Sequence, residues 1–320
     1  MNTKTRAKSF LQENLVLVTI VILAAVTALM EPKFLTVANL GNLLNQFGPL
    51  SFVALGMTIA IIGGYIDLSV AGIVSLSAVF TISMIDVLGQ TGALLAGLLA
   101  GAMMGLINAL AVISCGALTQ AKALFMTYAL SAVYSAAALL YTGGATQHMS
   151  HLNSSVTLLR GIGSGKVGFI PVSFLLFFAL MFALHLFLNR TQTGREIQLT
   201  GANITAADMV GIPVKRRVAL VYVLSGVLSA FGAIVLFSRT TTASPLMGAN
   251  YETNAILAVV VGGTSLSGGR GSVIRTMLGV MLVTLLSNCL NLLGVSTYIQ
   301  SVCEGIILII AIWIDRRRTK

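Results

Sequence analysis

The chain has 320 residues, of which 57% are apolar and only 9% are charged. A soluble domain carries charge on roughly a quarter of its residues, and the mean hydropathy of +0.96 is far above what such a domain can hide. A water-soluble fold is excluded, because 19 basic and nine acidic side chains cannot cover so much apolar surface, whereas lipid solvates outward apolar faces directly. The formal net charge of +10 does not mark a nucleic-acid binder. Lys4, Arg6 and Lys8 precede the first apolar run, five basic residues lie between Arg190 and Arg217, and Arg316, Arg317, Arg318 and Lys320 close the chain. Basic residues that flank apolar runs mark cytoplasmic loops.

Taken in order, the apolar runs predict spans at 15–30, 48–63, 69–87, 92–113, 117–141, 171–188, 218–237, 273–291 and 297–314, with a shorter, Gly-ended one at 253–263. Each approaches the roughly 20 residues that a helix needs to cross a bilayer. The expected fold is therefore all-α: a polytopic integral membrane bundle of about ten transmembrane helices, broken or short near 63–69 and 253–269. The first run follows a basic start, as a signal peptide would, but it is long for one, Glu13 interrupts the basic stretch, and no small-residue cleavage site ends it. It reads as a retained span.

With the N-terminus in the cytoplasm, ten crossings put 15 of the 19 basic residues inside and leave only Lys33, Arg160, Lys166 and Arg239 outside. Nine crossings would move the C-terminal basic cluster outside, against the positive-inside rule. The expected organisation is a single membrane domain over 1–320, with a cytoplasmic tail at 1–14, an outer loop at 142–170 and a basic cytoplasmic segment at 189–217.

Several stretches are candidates for function. Gly63-Gly64-Tyr65-Ile66-Asp67-Leu68-Ser69 ends one apolar run and opens the next with an acid and a hydroxyl. A carboxylate this close to hydrocarbon is costly and rarely faces lipid. Asp67 and Ser69 can cap a helix at the membrane edge, or mark a bent helix at a pathway or gate. Gly262-Gly263-Thr264-Ser265-Leu266-Ser267-Gly268-Gly269 repeats the Gly-Gly, polar, Leu-Ser order, and interrupted helices in two halves of a transporter point to its transport site. It lacks the Lys-Ser/Thr end of a phosphate-binding loop. Gly97, Gly101 and Gly105 share one helix face that lets another helix approach closely. Asn108 and Asn291 are amides within spans, either interhelical glue or pathway groups. Glu304 lies inside the last span, where an acid is a functional candidate by default.

The cysteines Cys115, Cys289 and Cys303 have no disulfide or thiolate-site spacing. His148 and His151 lack a third ligand with clear spacing, so no metal is expected. No nucleophile–base pair suggests catalysis. Between spans six and seven, Gly201 to Ile212 is mildly amphipathic, opens at the cap-like Asn203 and stops at Gly211 and Pro213. It reads as one short helix, lying on anionic lipid or fitting a groove on a cytosolic partner. Gly201, Asn203, Ala206, Ala207, Asp208 and Gly211 are its key positions.

In combination, Gly56-Met57-Thr58, Ile66-Asp67-Leu68-Ser69-Val70, Thr193-Gly194-Arg195, Gly201 to Ile212, Gly262 to Gly271, and Asn288-x-x-Asn291-Leu292-Leu293-Gly294-Val295 resemble the permease subunits of bacterial ribose-type sugar importers of the ATP-binding cassette class. The resemblance runs from Phe34 to Asp315. It implies a bacterial inner-membrane protein, not itself an enzyme, that imports a small polar solute such as a monosaccharide by alternating access. It also implies a second permease chain, identical or related, a periplasmic substrate-binding protein, and a cytosolic ATP-binding cassette subunit that binds ATP and magnesium, so that this chain needs no cofactor. Gly201 to Ile212 would be the coupling helix. The chain departs from the family at 122–136, where Ser131 to Ala136 replace an expected Arg-Gly pair. The residues alone leave one rival reading: an ion-coupled secondary transporter with Asp67 or Glu304 as its ion site.

Overall fold

A computed structural model describes residues 15–318, with side chains omitted at 15, 314 and 316–318. The expected tail at 1–14 and the C-terminal basic side chains lie outside the described residues. Thirteen α-helices make up the fold among those described: α1 (Leu15–Met30), α2 (Val37–Ile62), α3 (Val70–Ser83), α4 (Ile85–Ser114), α5 (Gln120–Thr142), α6 (Thr157–Ser164), α7 (Val172–Arg190), α8 (Gln192–Ala202), α9 (Ile204–Met209), α10 (Val214–Thr240), α11 (Tyr251–Val261), α12 (Val273–Leu292) and α13 (Thr297–Arg318). Six are long and apolar enough to cross a membrane, and four shorter ones are apolar: α1, α3, α11 and α13. The protein is an all-α polytopic membrane protein.

Burial separates centre from rim. The apolar stretch of α2 is 89% buried, against 22% for α5. Helix α2 is clamped between α10, α11, α12 and α7. Its Phe47 meets Phe174 and Phe177 of α7 edge-on at 5.2 and 5.0 Å, and its Phe52 packs on Phe231 of α10 at 4.6 Å. Such ring pairs add to the gain from burying their area. Helix α10 in turn lies against α4. Gly97 of α4 meets Thr81 of α3, while Gly101 and Gly105 on the same face meet Gly226 with Ala230 and the Tyr222 backbone of α10, leaving no room for a Cβ. Helices α4 and α10 therefore touch nearly backbone to backbone, which maximises dispersion contact where lipid supplies no hydrophobic drive.

The structure moves several expected boundaries. Helix α2 begins at Val37, 11 residues before the expected 48, and carries Asn39, Asn45 and Pro49 inside it. These polar residues hide the helix from a hydropathy reading. Asn39 is buried because it exchanges two amide hydrogen bonds with Asn288 of α12, at 3.1 and 3.0 Å. Residues 85–87, expected at the end of span three, form the first turn of α4 ahead of Gly89, whose φ of 69° breaks that helix. The short helix expected to open at Asn203 and stop at Gly211 is α9, capped by Asn203, while Gly201 and Ala202 belong to the last turn of α8.

The bundle has two unlike ends. At one, the 142–171 segment folds back as β1 (Gln147–His148), α6, and a hairpin of β2 (Lys166–Val167) and β3 (Ile170–Pro171). Strand β1 pairs with β4 (Thr242–Ala243) beyond α10. At the other end, the connections around 63–69, 191–213 and 262–272 meet, and the candidate site lies there.

Candidate functional site

Helix α2 ends in two glycines. Gly64, at φ 87°, turns the chain, and the N–H groups of Gly64 and Tyr65 bond the carbonyls of Ile61 and Ala60. This paired pattern satisfies helix-end carbonyls that would otherwise be orphaned. The turn delivers Asp67 into the protein interior, where its residue has 0% exposure. One carboxylate oxygen, Oδ1, accepts the Ser69 N–H at 3.1 Å and the Ser69 hydroxyl at 2.5 Å. The other, Oδ2, accepts the Ser225 hydroxyl of α10 at 2.7 Å. Ser69 in turn accepts from Asn108 Nδ2 at 2.6 Å, and the Tyr134 hydroxyl reaches Asn108 Oδ1 at 2.9 Å. The Asn108 amide fixes the direction of this chain: each group donates toward Asp67.

Asp67 is thus more than a cap at the membrane edge. It does take the Ser69 N–H ahead of α3, but Ser69 makes no side-chain cap of its own. All three donors to Asp67 are neutral, and among the described residues no cation pairs with it. These bonds, relayed through Ser69 and Asn108, tie α3, α4, α5 and α10 into one unit. Leu68 N–H adds a bond to Thr127 of α5 at 3.1 Å. Thr127 and Tyr134 both lie in the 122–136 segment of α5.

Beside this cluster, three connections touch through glycine. Gly269 N–H donates to the Ile62 carbonyl at 2.8 Å. A Cβ on Gly201 would meet the Gly63 carbonyl carbon at 2.8 Å and Gly269 N at 2.9 Å, and one on Gly268 would meet Gly64 Cα at 2.8 Å. Real Cβ contacts are never that short, so Gly63, Gly64, Gly201, Gly268 and Gly269 form a junction closed to any larger residue. The junction reaches the rim as well. Gln120 of α5 donates to the Leu266 carbonyl at 2.8 Å, and Leu266 N–H donates to Asp315 of α13 at 3.2 Å. Gly262 packs under the Arg275 carbonyl, and Gly263, at φ 90°, ends α11 as Gly64 ends α2.

Helix α9 projects from this junction. The Asn203 side chain accepts the Ala206 N–H at 3.0 Å, a cap across the first turn. Gly211, at φ 82°, turns the chain back toward α10. Ala207 is buried with Ile212, Val214, Val218, Tyr65 and Tyr222 in one apolar cluster. Met209 and Val210 are exposed at 84% and 74%. Thr205, Asp208, Lys215 and Arg216 help line a cavity of about 520 Å³ beside the helix, open to the surface. Glu196 of α8 pairs with Arg217 of α10 at 2.5 Å and so braces the base of the projection.

Not every candidate joins this site. Asn291 lies at the far end of α12, where its Oδ1 accepts from Gln300 at 2.8 Å. Glu304 accepts from Ser287 at 3.2 Å, also remote from Asp67. His148 and His151 stack at 5.2 Å, and no group of three or more His, Cys, Asp or Glu suited to a metal occurs among the described residues. Sequence reasoning missed Ser225, Tyr134, Thr127 and Tyr222. A polar side chain in the middle of an apolar run is the only mark they carry.

Residues 39–312 match the family described as branched-chain amino acid transport system / permease component. The chain belongs to that family. It is 37% identical to the ribose import permease protein of Bacillus subtilis strain 168, over 93% of this chain and 91% of that one. It is 30% identical to the ribose import permease protein of Escherichia coli strain K12, over 97% and 96% of the two chains. A galactose/methyl galactoside import permease protein of the same strain is 29% identical, over 96% and 95%. No solved structure matches. The family description mentions amino acids, whereas these relatives are named for sugars.

Proposed function

We propose that this chain is the membrane-spanning permease subunit of an ATP-driven importer, and that it carries a monosaccharide or similar small polar solute across a bacterial inner membrane. The observation that carries the reading is α9. It buries Ala207 in the bundle, exposes Met209 and Val210, and stands beside an open cavity edged by Lys215 and Arg216. Exposed apolar residues on a capped helix with a basic rim are what a soluble partner's groove recognises. The partner in this reading is a cytosolic ATP-binding cassette subunit, which binds ATP and magnesium. A periplasmic binding protein presents the solute at the opposite end, and a second permease chain completes the pathway. The excess of basic residues at the α9 end supports a reading in which that end and both termini face the cytoplasm. The sugar assignment rests on the relatives' names.

The test is a mild-detergent pull-down of the tagged chain, comparing the natural sequence with Met209→Glu/Val210→Glu. Both positions are exposed, so the double variant keeps the fold. Recovery of an ATP-binding cassette protein by the natural chain, and its loss in the variant, is the expected result. Equal recovery by both would remove α9 from the interface, and recovery of the chain alone would favour an ion-coupled transporter.

A further inference from the structure

Tyr222 is the odd member of the buried network. Its residue has 0% exposure, yet its hydroxyl has no hydrogen-bond partner among the described residues. A buried hydroxyl without a partner is a liability that native proteins avoid. Tyr222 lies one turn before Ser225 on α10, and residues three apart on a helix share a face. Ser225 holds the Asp67 carboxylate at 2.7 Å, so Tyr222 lies on the helix face that Asp67 meets. That ring lies 5.7 Å from the ring of Tyr65, two residues before Asp67. Both rings share an apolar cluster with Ala207 of α9. The side chain with the spare donor therefore lies in the same apolar cluster as the buried residue of the partner-facing helix.

We propose that Asp67 exchanges donors during the transport cycle, held by the Ser225 hydroxyl in this conformation and by the Tyr222 hydroxyl in a second one. A shift of α9, passed through the Ala207 cluster to the two tyrosine rings, moves α10 relative to the 63–69 turn. Asp67 Oδ2 then leaves Ser225 and accepts from Tyr222. The released Ser225 hydroxyl turns to the Val221 carbonyl four residues back. Thr58, Thr81, Ser83 and Thr284 already use that bond in this protein. The carboxylate keeps a donor on Oδ2 in both states, so neither conformation leaves that oxygen buried and unpaired. Packed cores have discrete alternatives and do not deform continuously, and two hydroxyls one turn apart provide two such positions. Tyr222 is on this account a positioning residue for coupling, with no contact to solute. The inference rests on the reading of α9 as the docking helix for an ATPase.

Tyr222→Phe separates this role from a structural one. Removing an unpaired hydroxyl leaves the melting temperature of the full chain in detergent unchanged or raised. The same variant, assembled with its ATPase, should lose about tenfold or more in ATP turnover, the size of effect that one lost hydrogen bond to a charged group has on an equilibrium. Ser225→Ala should lower the melting temperature, because it removes a bond that Asp67 makes in this conformation. A lowered melting temperature for Tyr222→Phe would show the hydroxyl already bonded in the resting protein and would overturn the proposal, as would unchanged turnover. If the natural chain recovers no ATPase, the functional reading fails by itself, and the melting comparison still decides whether Tyr222 has a spare donor.

Discussion

The two Gly-Gly turns end their helices in the same way and then diverge. After α2, the N–H groups of Gly63, Gly64 and Tyr65 bond Ile59, Ile61 and Ala60; after α11, those of Gly262, Gly263 and Thr264 bond Ala258, Val260 and Val259. Similar turns close α4 at Gly116 and α12 at Gly294. The likeness of the two stretches is therefore the chemistry of stopping a helix in a place where lipid cannot satisfy its carbonyls. Beyond the glycines the two chain segments differ. The first sends an acid into the core and holds it with neutral donors in a network that draws in four helices. Of its polar side chains the second fully buries only Thr264, and Ser267 and Arg270 are exposed. A shared ending positions the two turns, while the residues beyond it make one a clasp and the other a spacer in the glycine junction.

Substitutions can break that comparison, and the largest effect is expected where the two turns touch. Gly201→Val forces side-chain atoms into the backbones of both turns. It should cost about 3 kcal/mol, at the upper end for overpacking, seen as a large fall in melting temperature or loss of folded chain. Asp67→Ala orphans the buried Ser225 and Ser69 hydroxyls and should cost about 2 kcal/mol. Thr264→Ala, the matching change in the second turn, should cost about 1 kcal/mol; equal costs would erase the distinction between clasp and spacer. Glu196→Gln weakens only the partly buried pair with Arg217 and should cost about 1 kcal/mol or less. Arg270→Gln should stay within about 0.5 kcal/mol in the same melting assay.

Much of the fold was legible in the sequence because a bilayer imposes length and polarity together. Nine apolar runs and the short one at 253–263 all correspond to helices. The beginning of α2 was not legible, because Asn39 reads as a loop residue until Asn288, 249 positions away, is brought opposite it. The short helix within 201–212 was legible from its cap, Asn203, and from Gly211, where the chain turns back. That Gly201, in the last turn of α8, packs against Gly63 and Gly269 was not. Of the candidate residues, Asp67, Ser69 and Asn108 come together, whereas Asn291 stays apart. A motif marks residues close in sequence, and the donors from Ser225 and Tyr134 come from helices whose positions no local pattern encodes. Nothing local in the 122–136 segment shows that it supplies Thr127 and Tyr134 to the clasp.

The central claim is that this chain is driven through α9 by an ATP-hydrolysing partner. The most direct measurement is uptake of labelled ribose and a panel of other pentoses and hexoses into proteoliposomes holding the chain with its co-purified partners, with ATP supplied on the α9 side. Coupling through α9 predicts uptake that requires ATP, persists when ionophores collapse proton and sodium gradients, and disappears with Met209→Glu/Val210→Glu. Uptake by the chain alone under an ion gradient, without ATP, would contradict it.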